Sequence, residues 1–234
     1  MEASTAGSRA GLVPGLQRPA LIAHGAGNTA ENARRAVAEV ADFLEIDLWV
    51  HRGRFEARHE RAFYPLPLLF EKWYLRLAPR HPFGLADLLR ETSGGPEVFL
   101  DLKNGGGEAA RLIRQALDDA DGRRRLVASS QHWPTLRAVR DAAPEVTLLY
   151  SIDVPAKLDL FLSITARDAG PRGVSCRQQL VTRELVERLH GHGLLVVAWT
   201  VDDVDRAEEL ADWGIDGITT HRVVELRQRL ELAS

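Results

Sequence analysis

The sequence has 234 residues, of which 45% are hydrophobic and 27% are charged, with a formal net charge of -3. This is an ordinary globular composition, and the length allows one large α/β domain or two small ones. The charge balance provides no basic surface of the kind that nucleic-acid-binding proteins carry. A single cysteine, Cys176, excludes an intramolecular disulfide and fits a reducing compartment.

The N-terminal residues lack the features of a targeting or membrane-spanning segment. Residues 1–18 are mostly small or polar, with Gly and Pro, and contain no continuous apolar run behind a basic cluster. We therefore expect a flexible N-terminal arm over residues 1–18 and a single domain over residues 19–234. The expected location is cytoplasmic, either free or peripheral at a membrane.

The first half of the chain begins with two strand patterns. An apolar run over residues 21–24 ends in His24, and a helical pattern follows a glycine-rich turn. Residues 44–60 then predict a strand that turns back as a hairpin around Gly53. Residues 61–82 break this pattern with prolines and five aromatic residues. They predict an apolar insertion after strand 2, with a short amphipathic helix over residues 68–77.

From residue 98 onward, strand and helix patterns alternate regularly. Further strands are predicted at residues 98–103, 126–130, 146–152, 173–177, 194–201 and 216–220, each followed by a helix. About eight βα units in one domain-sized chain predict an α/β fold of the (β/α)₈ TIM-barrel class. A doubly wound sheet would have fewer strands and a longer glycine-rich nucleotide turn than the GAGN found here.

Three carboxylates fall on neighbouring predicted strands. Glu45 and Asp47 lie two apart in an apolar strand, so they share a face, where like charges are unfavourable without a cation between them. The third strand repeats this pattern with Asp101 and Lys103. Three carboxylates without a Cys or His cluster indicate Mg²⁺ or Ca²⁺ rather than Zn²⁺. The alternative is that the acids are solvated separately at the barrel rim.

Two histidines flank this predicted metal site. His24 ends the first strand and His59 follows the hairpin of the second. Such a pair suits general acid–base attack on a phosphodiester, since one ring takes a proton from the attacking hydroxyl and the other protonates the leaving oxygen. Trp199 and Asp216 are also predicted at this end of the barrel. The remaining histidines are interpreted as structural: His51, His81, His132, His190, His192 and His221.

The order of these motifs resembles the glycerophosphodiester phosphodiesterase family, within the phosphatidylinositol-phosphodiesterase-like TIM-barrel superfamily. No single motif is strong, but together their order and spacing over residues 21–222 are specific. The matching motifs are Ala23-His24, Glu31-Asn32, Glu45-Ile46-Asp47, Gly53, His59-Glu60, Asp101-Leu102-Lys103, Trp199-Thr200-Val201 and Gly214-Ile215-Asp216-Gly217-Ile218-Thr219.

The resemblance implies a (β/α)₈ barrel that hydrolyses phosphodiesters with a divalent metal. By position it makes His24 and His59 the acid–base pair. It also makes Lys103 a phosphate contact and Trp199 a wall of the substrate pocket. The metal ligands that it implies are Glu45, Asp47 and Asp101.

Three positions depart from the family pattern. Gly25 stands where the family has Arg, Asp101 where it has Glu, and Glu60 where it has Asp. The related sphingomyelinase D-like phospholipases also lack that Arg and tolerate Asp at the third acid. Three functions therefore stay open. They are hydrolysis of glycerophosphodiesters or lysophospholipids, release of a cyclic phosphate by a sphingomyelinase D-like phospholipase, and binding of a phosphorylated ligand with weak catalysis.

The apolar insertion bears on the expected partners. Residues 64–77 would lie beside the mouth of the barrel, where they can dock on a bilayer or hold an acyl chain. The alternative is a satellite core that covers the barrel flank. The expected partner is a small-molecule phosphodiester or lysophospholipid, with a peripheral membrane contact through residues 64–77 and no nucleic acid. The sequence does not define the oligomeric state.

Overall fold

The computed structural model describes residues 11–63, 65–71, 73–119, 124–165, 170 and 172–232. Over these residues, eight parallel strands form a barrel and eight helices surround it. The barrel strands are β1 (Ala20–Ala23), β2 (Phe43–His51), β7 (Glu97–Leu102), β8 (Leu126–Ser130), β9 (Thr147–Ile152), β10 (Gly173–Arg177), β11 (Leu195–Trp199) and β12 (Gly217–Thr220). Between β2 and β7 lie β3 (Arg54–Ala57), β4 (Arg61–Ala62), β5 (Leu68–Glu71) and β6 (Tyr74–Leu77).

The barrel is closed because β1 pairs with a strand on each side. Ala20 lies opposite Gly217 of β12, and Ile22 lies opposite Phe43 of β2. The predicted (β/α)₈ barrel is therefore confirmed. The helices are α1 (Ala30–Ala38), α2 (Leu85–Glu91), α3 (Gly106–Asp119), α4 (Trp133–Ala142), α5 (Pro155–Thr165), α6 (Arg183–Gly191), α7 (Val204–Asp212) and α8 (Val223–Leu232).

The barrel interior is apolar at one end and polar at the other. Toward the N-terminal ends of the strands, the interior is filled by a buried cluster that includes Leu12, Phe43 and Phe99. Two residues further along the same strands, alternation places the acids Glu45 and Asp101 on the inward face. This buried apolar cluster therefore fills the N-terminal end of the barrel, and the polar side chains lie at the C-terminal end, where active sites usually lie in this fold.

The predicted N-terminal arm is only partly described. Residues 1–10 lie outside the described part of the chain, but residues 11–18 contact the N-terminal end of the barrel. Leu12 is buried against the interior cluster, and Arg18 forms an ion pair of 2.6 Å with Asp42. This half of the segment is therefore part of the packing of the barrel.

The insertion after β2 is a small antiparallel sheet. Its strands are β4, β5 and β6, so the prediction of a short helix over residues 68–77 is wrong. The apolar residues there alternate with period two, since Leu75 and Leu77 share one face while Arg76 lies on the other, which suits strands rather than a helix. Tyr64, the first residue of the predicted contact segment, lies outside the described residues, as does Lys72.

Gly173 permits close contact between β10 and β11. A Cβ atom there would lie 2.0 Å from the carbonyl oxygen of Leu195. We expect Gly173→Ala to lower the free energy of unfolding by about 1–3 kcal/mol, because the two strands must separate. In α3, a Cβ atom on Gly107 would meet nothing within 4 Å, so Gly107→Ala should be neutral or stabilise by about 0.5–1 kcal/mol. Urea denaturation measures both, and equal effects would contradict this account.

Candidate active site

The three predicted acids converge at the C-terminal half of the barrel interior. β2 and β7 are parallel neighbours, and their register places Asp47 directly opposite Asp101. Glu45 lies one inward position below Asp47 on β2. One carboxylate oxygen from each of the three residues lies within 4.8 Å of the others. The pattern of alternating charge on two strands thus becomes one cluster of oxygen atoms.

Lys103 is the positive partner of this cluster. Its Nζ atom lies 2.6 Å from Asp47 Oδ1 and 2.5 Å from Asp101 Oδ2. Burial alone would lower the pKa of Lys103, but Asp101, Asp47 and Glu45 outweigh burial and raise it. The amine therefore stays charged, and it neutralises part of the negative charge of the cluster.

The loop after β1 holds two of the acids in place. The backbone N–H of Gly25 donates to Glu45 Oε2 at 2.5 Å. Asn28 binds Asp47 twice, because its Nδ2 atom donates to Asp47 Oδ2 at 2.7 Å and its Oδ1 atom accepts from Asp47 N at 2.9 Å. Gly27 packs so closely on β2 that a Cβ atom would lie 2.6 Å from Cβ of Ile46. The glycine-rich turn therefore supports the acid cluster directly.

The pKa values of Glu45 and Asp101 are raised, whereas the pKa of Asp47 is lowered. Burial, followed by the charges of Asp47 and Asp101, raises the pKa of Glu45 well above its usual range. Burial raises the pKa of Asp101, and the charge of Asp47 adds to the rise against the opposing charge of Lys103. At Asp47 burial has the same direction, but Lys103 and Asn28 outweigh it and lower the pKa. The surroundings of Glu45 and Asp101 thus provide too little positive charge to offset the effects of burial and of the neighbouring acids.

The donor set fits a hard divalent cation. All three candidate ligand atoms are carboxylate oxygens, which Mg²⁺ and Ca²⁺ prefer. A cation in this cluster would supply the positive charge that the raised pKa values of Glu45 and Asp101 show to be lacking. Asp47 is held by Asn28 through one oxygen, which orients its carboxylate as supporting groups orient metal ligands.

His24 lies directly after β1 on the same side of the barrel. Its Nδ1 atom lies 3.2 Å from Thr200 Oγ1, and its ring centroid lies 4.5 Å from that of His221. Burial, and next the neighbouring His221, lowers the pKa of His24 to about 4. The ring is therefore neutral near pH 7, which is the form that can accept a proton.

His221 lies beside His24 in this site, so the interpretation of His221 as a purely structural residue is wrong. Its Nδ1 atom lies 2.9 Å from Asp202 Oδ2, and its backbone N–H donates to Asp202 Oδ1 at 2.8 Å. Asp202 also accepts from Thr220 Oγ1 at 3.0 Å. A carboxylate thus fixes the His221 ring, which packs against the His24 ring at a tilt of 36°. The position of His221 directly after the last barrel strand indicates its place in the site, because residues at these positions lie at the catalytic end of the barrel.

His59 lies at the surface of the site, and Trp199 lies at the end of a barrel strand. The side chain of His59 is 54% exposed, and its Nδ1 atom lies 2.7 Å from Glu71 Oε1 in β5. Its charge lowers the pKa values of both Asp47 and Asp101, after larger contributions, so it lies within electrostatic reach of the cluster. Trp199 ends β11 and is half-buried.

Asp216 lies at the other end of the barrel. It precedes β12, is buried, and accepts from the backbone N–H of Val196 at 2.8 Å. It also lies 3.0 Å from Nε2 of His190. Its predicted place at the mouth is therefore wrong, because Asp216 stands before the strand rather than after it.

Cys176 is buried, and burial raises its pKa to about 12, which makes its thiol unreactive.

Within the described ranges, no helix is both long enough and apolar enough to cross a membrane.

The fold is shared with solved structures of low sequence identity. A phosphodiesterase from Oleispira antarctica, solved with the product sn-glycerol-3-phosphate, has a TM-score of 0.75 at 17% identity, over 92% of this chain and 97% of that one. A glycerophosphodiester phosphodiesterase from Parabacteroides distasonis has a TM-score of 0.71 at 19% identity, over 92% and 98%. One from Thermotoga maritima has 0.65 at 16% identity, over 90% and 97%. A comparison with curated proteins finds no match.

The sequence itself matches a family. The model of the glycerophosphoryl diester phosphodiesterase family matches residues 90–225, which is more than half of the chain. This range runs from the end of α2 to the first turn of α8. With that match and the closed (β/α)₈ barrel described above, the chain belongs to the glycerophosphoryl diester phosphodiesterase family and to its class of phosphoric diester hydrolases.

Proposed function

We propose that the protein hydrolyses one phosphodiester bond of a glycerophosphodiester or lysophospholipid, using a divalent cation held by Glu45, Asp47 and Asp101. The observation that carries this proposal is the convergence of three carboxylates beside a neutral histidine at the C-terminal end of the barrel. The Oleispira antarctica enzyme was solved with sn-glycerol-3-phosphate, which supports the same product here. Mg²⁺ and Ca²⁺ are the expected cations.

The cation and Lys103 would both neutralise negative charge at the phosphoryl group. When bound, the cation stabilises negative charge that grows on the phosphoryl oxygens. Lys103 Nζ already bridges Asp47 and Asp101, so it lies next to any phosphate bound at the cluster. Because Gly25 replaces the family's Arg, we assign to Lys103 the role of the main side-chain cation for the phosphate.

The two histidines transfer protons. His24 accepts the proton of the attacking hydroxyl, because its lowered pKa keeps the ring neutral. The contact of its Nδ1 atom with Thr200 leaves Nε2 for this transfer. His59, which lies against Glu71, donates a proton to the oxygen that leaves phosphorus. As the new P–O bond forms and the ester P–O bond breaks, the products are a phosphomonoester and an alcohol. Trp199 is assigned to the wall of the substrate pocket.

The attacking hydroxyl distinguishes two versions of this reaction. If water attacks, the product is an open phosphomonoester. If a neighbouring hydroxyl of the substrate attacks, a cyclic phosphate is released, as in the sphingomyelinase D-like alternative. The shorter acid Asp101 and the absence of the family's Arg at Gly25 favour keeping this second reaction as a candidate. A cytoplasmic location and a single domain over residues 19–234 stay predictions.

Removal of the metal tests the proposed function. Protein treated with EDTA should lose turnover of glycerophosphocholine and lysophosphatidylcholine, and Mg²⁺ or Ca²⁺ should restore it. Phosphorus NMR identifies the product as an open or a cyclic phosphate, and Zn²⁺ serves as the mismatched ion. Turnover that survives chelation would contradict the role of the metal. Binding of glycerophosphocholine without turnover at any metal concentration would favour the phosphoryl-ligand-binding alternative.

A further inference from the structure

The insert sheet, formed by β4, β5 and β6, has two faces of different chemistry. The register pairs Arg61 with Phe70, and Phe70 with Leu75, so these residues share one face. We call this the outer face, and it also holds Phe63, Leu68 and Leu77. The opposite, inner face holds Leu69, Glu71, Tyr74 and Arg76. The register therefore separates a mostly apolar face from one that carries three polar side chains.

The inner face is attached to the barrel domain. Leu69 is 1% exposed, and Arg76 Nε lies 2.5 Å from Glu60 Oε1. Glu71 reaches His59, as described above. These contacts fix the sheet next to the candidate active site. The outer face is consequently held in a defined position beside the mouth of the barrel.

The outer face exposes large apolar side chains. Leu77 is 72% exposed, Leu75 68% and Phe63 57%, and Trp73 at the turn between β5 and β6 is 95% exposed. Single exposed apolar residues are normal on a protein surface, but a contiguous patch on one sheet face marks an interaction site. A tryptophan at the tip of such a patch is typical of proteins that dock at a membrane interface.

The segment that carries this face is positively charged. Residues 51–82 contain seven Lys or Arg and three Asp or Glu, a net charge of +4, whereas the rest of the chain carries -7. Arg61 lies on the outer face itself and Arg80 follows β6, and both are exposed. An apolar surface within a positive segment complements anionic lipid headgroups over an acyl boundary. A symmetric contact between two copies would instead bring two segments of +4 together, which repel each other.

We propose that the outer face of the insert sheet, with Trp73 at its tip, docks the protein on an anionic lipid surface. The apolar side chains enter the boundary between headgroups and acyl chains, and Arg61 and Arg80 contact the headgroups. Because Glu71 on the inner face contacts His59, docking brings this candidate catalytic residue near the lipid, on the opposite side of the insert sheet. This last step rests on the proposed function, but the docking itself does not.

Sedimentation with lipid vesicles tests the docking. Wild-type protein should bind vesicles of phosphatidylcholine with 30% phosphatidylglycerol, bind pure phosphatidylcholine vesicles more weakly, and lose affinity in 0.5 M NaCl. A double variant, Leu75→Ser with Leu77→Ser, should bind the anionic vesicles about tenfold more weakly. Leu160→Ser, which changes a half-exposed leucine in α5, is the matched control and should bind like the wild type.

Further measurements separate docking from its alternatives. Trp73→Ala removes a side chain with almost no contacts, so it should weaken vesicle binding severalfold without affecting folding. The Leu75→Ser/Leu77→Ser and Trp73→Ala variants should turn over soluble glycerophosphocholine like the wild type, which separates loss of docking from failure of the proposed function.

The proposal would be overturned if the wild-type protein did not bind anionic vesicles, or if these two variants bound them as well as the wild type does. A concentration-dependent dimer, seen by sedimentation velocity, that the double variant abolishes would also overturn it.

Discussion

Glu45→Gln should reduce kcat/KM for glycerophosphocholine by about 10³-fold, which corresponds to roughly 4 kcal/mol of charge stabilisation in the transition state. Glutamine has nearly the same shape, so its carbonyl oxygen can still accept the N–H of Gly25 that Glu45 accepts now. The substitution therefore removes charge and leaves the loop contact in place. The measurement is steady-state kinetics at saturating Mg²⁺ or Ca²⁺.

The same variant should bind the cation more weakly. Burial and the neighbouring acids raise the pKa of Glu45, so the wild-type carboxyl group must release its proton before it can act as a ligand. Metal affinity of the wild type should consequently fall as the pH is lowered through the raised pKa of Glu45, and that part of the pH dependence should be absent in Glu45→Gln. Isothermal titration calorimetry in buffers of different ionisation enthalpy measures the released proton.

Glu97→Gln is the matched control for Glu45→Gln. Glu97 begins β7 at the opposite end of the barrel, where its carboxylate accepts the N–H of Arg125 at 2.6 Å. The control variant should keep wild-type activity and metal affinity, because it loses the same charge far from the cluster. If Glu97→Gln loses as much activity as Glu45→Gln, the effect reflects the folding of the barrel, and the role of Glu45 in binding metal would be refuted.

The acid cluster could be predicted because the side-chain alternation within one strand and the register between two strands point to the same place. Within β2 the period of two places Glu45 and Asp47 on one face, and between β2 and β7 the parallel register brings Asp47 opposite Asp101. The repetition of βα units fixed which end of the strands would carry chemistry. Local pattern and global fold thus point to the same place, which is the condition under which sequence reasoning succeeds.

Other features depend on contacts between distant segments. His221 meets His24 only because β12 and β1 are neighbours in the closed barrel. The motif around Asp216 pointed to the right strand but to the wrong end of it, since this residue precedes the strand. The helix expected over residues 68–77 is a hairpin because β4 and β6 both pair with β5. Short apolar runs do not distinguish helix from strand by themselves.

His24 is the second residue whose replacement should have a large effect. His24→Ala should lower kcat by roughly 10²–10⁴-fold, the range for loss of a general base, with a smaller change in KM. His192→Ala, which removes an exposed histidine at the end of α6, should leave the kinetics unchanged. A His24→Ala enzyme with wild-type kcat would refute the role of this ring in proton transfer.

His24→Ala should also change how stability depends on pH. The pKa of His24 is lowered from 6.5 to about 4 in the folded protein, so below pH 6.5 the unfolded chain binds a proton that the folded protein does not. The wild type therefore loses stability as the pH falls from 6.5 toward 4. Between pH 7.5 and pH 5 this loss is about 2 kcal/mol, and the variant should not show it. Urea denaturation of both proteins in metal-free buffer at the two pH values measures the difference, and a parallel loss in both would show that His24 is not the group responsible.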